Sequence, residues 1–297
     1  MESTAKFYDI AFLGHYTKDT IVSASGIRVV DGGAFNYGAN VAVRMSLKVA
    51  AVTRLAKEDL RVLEKLKHLG VDVFVHISPQ STCLRLEYPT SNLDERVIYV
   101  TSSAGPFTPA QVEKIHAKMI VVGASMRDEV SLEVIEELAK KKIILAADAQ
   151  SFIRVNYNGK LIPKKWPEKH SILSHLNVLK TDAVEAEMLT DTSNVREAAR
   201  KMSNLGPREI LITHRHGLLV YTNGQFYEEG FFPKKLIGRS GRGDTCIAAY
   251  MPKRLNASPQ DATIWTAAVT SLKMEAEGPF QRTIEEVNHL IRTKYRI

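Results

Sequence analysis

The sequence predicts an α/β fold in which a doubly wound, mainly parallel sheet is flanked by helices and carries a small β-rich lid. Short, nearly continuous apolar runs alternate with segments whose apolar residues have helical spacing. Such alternation is typical of right-handed strand–helix–strand crossovers. Two further stretches are strand-rich and break the alternation. Because no linker divides the 297 residues, we expect a single domain over residues 1–297.

The predicted strands of the main sheet contain few polar residues, as expected of parallel strands that are covered on both faces. They occupy residues 8–14, 48–55, 118–124, 142–149, 176–181 and 208–215. The predicted helices have apolar residues three and four positions apart. They occupy residues 36–47, 60–70, 131–141, 182–191, 194–206, 259–278 and 283–295. Gly70 and Gly206 stand where a glycine is favoured after a helix.

The lid is predicted from two separated segments, residues 20–31 and about 73–100, which contain short strand patterns and turns. We expect them to form a small β-element over one edge of the main domain. An element in this position would close over a bound substrate and exclude water.

Composition and charge exclude several classes of protein. The net charge is +7, but the basic residues are dispersed, so we expect no nucleic-acid partner. No apolar run reaches the roughly 18 residues of a membrane helix, and the N-terminal pattern is not that of a signal peptide. Cys83 and Cys246 lie far apart in the sequence. We therefore expect a cytoplasmic protein without a membrane partner.

A glycine-rich turn, Gly241-Arg242-Gly243-Asp244, precedes a predicted helix. Glycines allow close approach of the backbone to a ligand, and a helix N-terminus presents N–H groups that bind anions. An aspartate there could take the proton of a substrate hydroxyl while amides stabilise a transferred phosphoryl group. The alternative is a simple helix N-cap, for which Asp is also favoured.

With three other motifs in the same order, this turn resembles the ribokinase-like (phosphofructokinase B, PfkB) family of kinases over essentially the full chain. The family turn usually reads Asp-Thr-Thr-Gly-Ala-Gly-Asp, and residues 238–244 here read GRSGRGD. The resemblance implies that Asp244 is the catalytic base and that the amides of Gly241, Arg242 and Gly243 form an anion hole. It also implies phosphorylation, dependent on ATP and Mg²⁺, of a sugar, a polyol such as inositol, or a nucleoside.

On the substrate side, the sequences GHYTKD near the N-terminus and DGG at residues 31–33 resemble family motifs. A carboxylate can accept hydrogen bonds from two adjacent hydroxyls, and paired glycines let a ligand lie against the main chain. Surface turns are the alternative reading of both. The substrate-binding residues implied by the resemblance are Asp19, Gly32, Gly33, Asn36 and Asn40, and which asparagine contacts substrate stays open.

On the donor side, Asp182 and Glu185 occupy the places of the family's Asn-x-x-Glu element. The resemblance implies that they hold Mg²⁺ and the phosphates through water, although acidic residues also favour the first turn of any helix. Thr213 and Gly217 match parts of a Thr-x-Gly-x-x-Gly motif that lines the nucleotide in the family.

Gly238 replaces the first aspartate of the family turn, which helps to form a monovalent-cation site in the family. We therefore expect weak or absent potassium activation, with Arg242 as one candidate to replace the cation. A non-catalytic binder of sugars or nucleotides on the same fold is the alternative function. The resemblance also implies a homodimer formed through the lid.

Overall fold

A computed structural model of the chain describes residues 6–24, 26–90 and 95–295. The strands in these residues are β1 (Phe7–Leu13), β2 (Thr17–Ser23), β3 (Gly26–Gly32), β4 (Val49–Ala56), β5 (Asp72–Ser78), β6 (Thr82–Glu87), β7 (Val97–Ser102), β8 (His116–Val122), β9 (Ile144–Asp148), β10 (Arg154–Tyr157), β11 (Lys160–Pro163), β12 (Val178–Asp182), β13 (Glu209–Thr213), β14 (Gly217–Thr222) and β15 (Gln225–Gly230). The α-helices are α1 (Ala34–Arg44), α2 (Glu64–His68), α3 (Pro109–Glu113), α4 (Leu132–Ala139), α5 (Gln150–Ile153), α6 (Lys169–Leu173), α7 (Ala183–Thr190), α8 (Val195–Ser203), α9 (Arg242–Arg254), α10 (Pro259–Met274) and α11 (Ile284–Leu290).

The main sheet has the strand order β15-β14-β13-β12-β9-β8-β1-β4-β5. Its strands from β13 to β5 are parallel, and the β14–β15 hairpin adds two antiparallel strands at one edge. The chain runs outward from β1 through β4 and β5, then crosses to β8 on the other side of β1. Ligands of open α/β sheets bind beyond the carboxyl ends of the strands at such a reversal. The topology therefore places the expected site beyond the ends of β1 and β8.

Alternate side chains of the main sheet pack into two separate apolar cores, which gives a three-layer α/β/α arrangement. In β1, Ala11 and Leu13 face one core while Ile10 and Phe12 face the other. The first core is covered by α3, α4 and α6 to α8, and the second by α1, α2 and α9 to α11. This confirms the predicted doubly wound fold. Within the described ranges, no helix has the length and apolar character needed to cross a membrane.

The second sheet, with the order β10-β11-β7-β6-β2-β3, is the lid. It contains most of the predicted lid segments, but residues 73–78 instead belong to β5, which pairs with β4 at the edge of the main sheet. Residues 91–94 of the predicted range lie outside the described residues. The sheet also contains the β10–β11 hairpin, which sequence reasoning missed. Its signal was the Asn158-Gly159 pair, since both residues have positive φ (51° and 81°), as a tight two-residue hairpin turn requires.

The KKLIG segment before the glycine turn, residues 234–238, has a strand-like sequence, but it does not form a strand. The backbone N–H groups of Ile237 and Gly238 both donate to the carbonyl of Met274, at 2.9 and 3.1 Å. The segment is therefore fixed to the C-terminal end of α10 rather than to a sheet. This attachment brings α10 close to the turn at residues 241–244.

Candidate active site

A cavity of about 630 Å³ lies between the lid and the carboxyl ends of the main-sheet strands. This volume is within the usual range for small-molecule sites. Gly123, just beyond β8, lines it, and a Cβ there would overlap Ala34 and lie 3.9 Å from Asp244 Oδ1. The Asp244 carboxylate therefore faces the point where the strand order reverses.

Close packing on both sides of the turn requires glycine at positions 241 and 243. Gly241 is the N-cap of α9 with φ of 75°, and a Cβ there would overlap the ring of Tyr37. A Cβ at Gly243 would overlap Lys180 Nζ and lie 3.3 Å from Asp148 Oδ2. The backbone N–H of Arg242 donates a hydrogen bond to the carbonyl of Arg239, at 3.2 Å. The next amides open the first turn of α9, where N–H groups lack helical partners and can bind an anion.

Asp244 lies at the third position of α9 and lines the cavity. Burial raises the pKa of its carboxyl, and the positive charges of Lys180, Arg154 and Lys273 act in the opposite direction. A carboxylate that is desolvated yet kept near cations is a suitable proton acceptor for a substrate hydroxyl.

Asp19 belongs to the lid strand β2, lines the cavity and is 8% exposed. Its Oδ1 atom has no hydrogen-bond partner in the described part of the chain. A Cβ at Gly32 would overlap the Thr17 hydroxyl and contact Asp19 Oδ2, so this glycine makes room for the carboxylate although it does not itself line the cavity. A buried oxygen without a partner is costly, and a ligand hydroxyl would satisfy it.

Gly33 lines the cavity, whereas the two asparagines that follow it do not. Asn36 Nδ2 donates to the carbonyl of Asp31 at 3.2 Å, and Asn40 Nδ2 donates to Asn36 Oδ1 at 3.1 Å. Arg44 in turn donates to Asn40 Oδ1 at 3.0 Å. The amide groups are thus used within α1 and its approach. Tyr37 lines the cavity instead, and sequence reasoning missed it.

Asp182 and Glu185 line the cavity and form a capping box at the start of α7. Asp182 Oδ1 accepts from the Glu185 N–H at 2.8 Å, and Glu185 Oε2 accepts from the Asp182 N–H at 3.0 Å. Arg154 donates to Glu185 Oε1 at 3.2 Å. Burial opposes ionisation of Glu185, but Arg154 and Lys180 outweigh it and hold its pKa below the usual value.

This pair fits Mg²⁺ held with much of its water shell. The described residues include no cluster of three or more His, Cys, Asp or Glu side chains arranged to hold a metal. Mg²⁺ usually binds through one or two carboxylates, several waters and substrate phosphates. Asp182 and Glu185 can supply the carboxylates at the edge of the cavity.

Thr213, at the end of β13, lines the cavity, but Gly217 does not. Gly217 opens β14 and pairs with Gly230 in the β14–β15 hairpin, and a Cβ there would overlap the carbonyl of Glu229. Strand packing thus accounts for this glycine. Arg242 Nη1 reaches from the catalytic turn to the carbonyl of His214, at 3.4 Å. Its guanidinium therefore connects the catalytic turn to the loop between β13 and β14.

Basic side chains outnumber acidic ones in the described lining of the cavity, where the acidic residues are Asp19, Asp182, Glu185 and Asp244, and sequence reasoning did not predict this excess. The cationic lining of the cavity in the described residues consists of Arg96, Arg154, Lys160, Lys180, Arg239 and Arg242. Burial and the charge of Arg242 lower the pKa of Arg239 to about 10. Two guanidinium groups close to one another at the catalytic turn are suited to binding an anionic ligand.

Lys180 and Asp148 form a buried ion pair of 2.8 Å directly beneath the catalytic turn. Burial opposes the charge on Lys180, but Asp148 and Glu185 raise the pKa of Lys180 above its usual value. The sequence signal was a lysine within the apolar strand at residues 176–181. Its partner could not be found in the same way, because the two residues come together only through the β9–β12 register.

Comparisons with known proteins agree with this geometry. Residues 8–280 match the family described as pfkB family carbohydrate kinase. A pyrophosphate-dependent kinase in the ribokinase family, solved with a pyrophosphate analog and myo-inositol, is 34% identical, with a TM-score of 0.87 over 94% of this chain and 99% of that one. A sulfate complex of such a kinase is 35% identical, with a TM-score of 0.88 and the same coverage. Cytidine kinase from Thermococcus kodakarensis is 24% identical over 82% of this chain and 87% of its own length.

Proposed function

The chain belongs to the pfkB family of carbohydrate kinases, and we propose that it transfers a phosphoryl group from pyrophosphate to a hydroxyl of a small polyol of the myo-inositol class. The observation that carries this proposal is the placement of Asp244 and a cationic lining around one cavity at the strand-order reversal. The geometry serves phosphoryl transfer, which depends on positioning and charge stabilisation more than on covalent chemistry.

The density of cations favours pyrophosphate as the donor. Pyrophosphate offers no base or ribose, so its binding energy must come from charged contacts with its oxygens. Arg239 lies just before the catalytic turn, Arg242 lies within it, and Lys180 lies beneath it. Arg242 Nη1 donates to the His214 carbonyl at 3.4 Å, so its guanidinium lies beside the loop that lines the nucleotide in the family. The 34–35% identical pyrophosphate-dependent kinases support the same donor.

ATP is the second candidate donor. Thr213 keeps its place at the cavity wall, as the family's nucleotide motif requires. Either donor would be held with Mg²⁺ near Asp182 and Glu185, where the ion would neutralise phosphate charge.

The acceptor would lie against the face of the lid that carries Asp19. Leu84, Leu86 and Ile98 of the lid line the cavity and would cover the apolar face of a ring. The partnerless Oδ1 of Asp19 would accept a hydrogen bond from a ring hydroxyl. Asp244 would then take the proton of the reacting hydroxyl, whose oxygen attacks the terminal phosphorus. A new P–O bond forms as the bond to the bridging oxygen breaks, and inorganic phosphate leaves.

A homodimer formed through the lid remains part of the proposal. Ile27 and Val29 on the outer lid strand β3 are 69% and 59% exposed. Exposed apolar side chains on an edge strand favour pairing with another chain.

A crossed donor and acceptor panel tests the proposal. Pyrophosphate or ATP with Mg²⁺ is combined with myo-inositol, a pentose or cytidine, and the phosphate ester is measured by mass spectrometry. We expect the ester from myo-inositol to form faster with pyrophosphate by about tenfold or more, which requires only about 1.4 kcal/mol of transition-state stabilisation. Faster reaction with ATP would refute the donor assignment. No ester from any pair, together with ligand-induced thermal stabilisation, would favour the non-catalytic binder.

The acceptor affinity should depend on pH through Asp19. Burial raises the pKa of this carboxyl to about 6, an effect reinforced by Asp244 and Asp31 and opposed by Thr17 and Arg96. Below that pH Asp19 is protonated and loses acceptor capacity, so KM for the polyol should rise as pH falls through about 6. Asp19→Asn should raise KM at all pH values and remove this dependence. An unchanged pH profile of KM in the variant would show that Asp19 does not hold the acceptor.

A further inference from the structure

Lys273 is a buried lysine whose charge is held by backbone carbonyls. It lies in the last turn of α10 and is 2% exposed. Its Nζ donates to the carbonyl of Gly238 at 3.0 Å and also to the carbonyl of Ser240. A buried charge is costly unless polar groups surround it. In the described residues these carbonyls, and not an ion pair, provide that environment, with the ring of Tyr37 5.5 Å away.

The two carbonyls belong to residues 238–240, the segment that directly precedes the catalytic turn and fixes its orientation. Ser240 directly precedes Gly241, the N-cap of α9, and Arg239 between the two carbonyls accepts the N–H of Arg242. The position of this segment therefore sets the direction of the amides that follow. Burial lowers the pKa of Lys273 to about 8 while Asp244 and Glu277 oppose the shift, so the side chain stays protonated at neutral pH.

We propose that the Lys273 ammonium acts as a built-in monovalent cation that positions the catalytic turn through the carbonyls of Gly238 and Ser240. Lys273 is a positioning residue: it acts through the backbone of residues 238–244 and through its charge near Asp244. This inference rests on the proposed phosphoryl transfer. It gives a physical reason for the expected weak response to potassium, because the resident ammonium already binds the carbonyls that a free ion would need.

The same chemistry predicts rescue by a small cation. Rings of backbone carbonyls bind K⁺, and NH₄⁺ offers the same charge with hydrogen-bond donors. Lys273→Met removes the charge while keeping much of the apolar stem. The variant would leave two carbonyls facing a space from which the ammonium group has been removed, and a small ion from solution can enter it.

The test measures kcat and KM with K⁺, NH₄⁺ or choline at constant ionic strength. We expect wild-type kcat to be the same in all three salts. Lys273→Met should lose about 10²-fold in kcat, the scale of a 1 Å misplacement of catalytic groups, with KM for the acceptor little changed. K⁺ or NH₄⁺, but not choline, should restore most of the loss. Lys273→Arg, which keeps the charge, should need no added ion.

Three results would overturn the inference. They are stimulation of the wild-type protein by K⁺, normal kcat of Lys273→Met in choline, and a loss of kcat that neither K⁺ nor NH₄⁺ restores. The melting temperature of the same variant provides a readout besides activity, and it should rise with K⁺ or NH₄⁺ relative to choline. If the wild-type protein phosphorylates nothing, the proposed function fails, and this melting shift still decides whether a small cation replaces the ammonium group.

Discussion

Asp244→Asn is expected to lower kcat by roughly 10²–10⁴-fold, the usual contribution of a general base. Asparagine keeps the volume of the side chain at the start of α9 but cannot accept the proton of the attacking hydroxyl. Burial already opposes the ionised form of Asp244, so removal of the charge should not destabilise the fold. We expect KM for both substrates and the melting temperature to change little, as steady-state kinetics and calorimetry would record.

Glu187→Gln is a matched control for this prediction. Glu187 is an exposed carboxylate on α7, two residues beyond Glu185, and it does not line the cavity. Its replacement should leave kcat unchanged. Near-normal turnover of Asp244→Asn would remove Asp244 from the chemistry and leave it only the role of a residue in the first turn of α9.

Lys180→Met is expected to reduce the free energy of unfolding by about 3–5 kcal/mol, because Asp148 must then be buried either as a charge without a partner or in its protonated form. The side chains of Lys180 and Asp148 are only 5% and 1% exposed. Activity should fall as well, since Lys180 lies beneath Gly243 and lines the cavity. Urea unfolding of wild type and variant measures the change in stability directly.

Lys140→Met supplies a control with the same ion-pair distance. Lys140 and Glu137 are also 2.8 Å apart, but their side chains are 72% and 21% exposed. A surface pair contributes only about 0–1 kcal/mol, so this variant should unfold almost like the wild type. Adding Asp148→Asn to Lys180→Met should recover much of the lost stability, since no unpaired charge then remains buried. Equal effects of the two lysine variants would show that burial does not strengthen the pair beneath the turn.

Much of the fold and part of the site could be predicted from local patterns. Apolar runs and helical spacing predicted a sheet flanked by helices on both faces, since each pattern is set by the faces that a strand or helix buries. The family resemblance implied that residues after β12 and β13 and in the turn at 241–244 belong to one site. Asp182, Thr213 and Asp244 do share one cavity.

The remaining features depend on contacts between distant residues. The Lys180–Asp148 pair arises from strand register, and Lys273 reaches residues 238–240 only because α10 packs beside them. A local pattern also misleads when the backbone uses the same residue for another purpose. Gly217 serves a hairpin and Asn40 bonds within α1, although both matched a ligand-binding motif.

A ³¹P NMR time course with Mg²⁺, pyrophosphate and myo-inositol, run in parallel on the wild-type protein and Asp244→Asn, tests the assigned chemistry most directly. Wild-type protein should convert the pyrophosphate signal into equal amounts of a phosphomonoester and inorganic phosphate, while the variant leaves it nearly unchanged. Inorganic phosphate without a phosphomonoester, or equal rates for the two proteins, would contradict transfer to a polyol with Asp244 as the base.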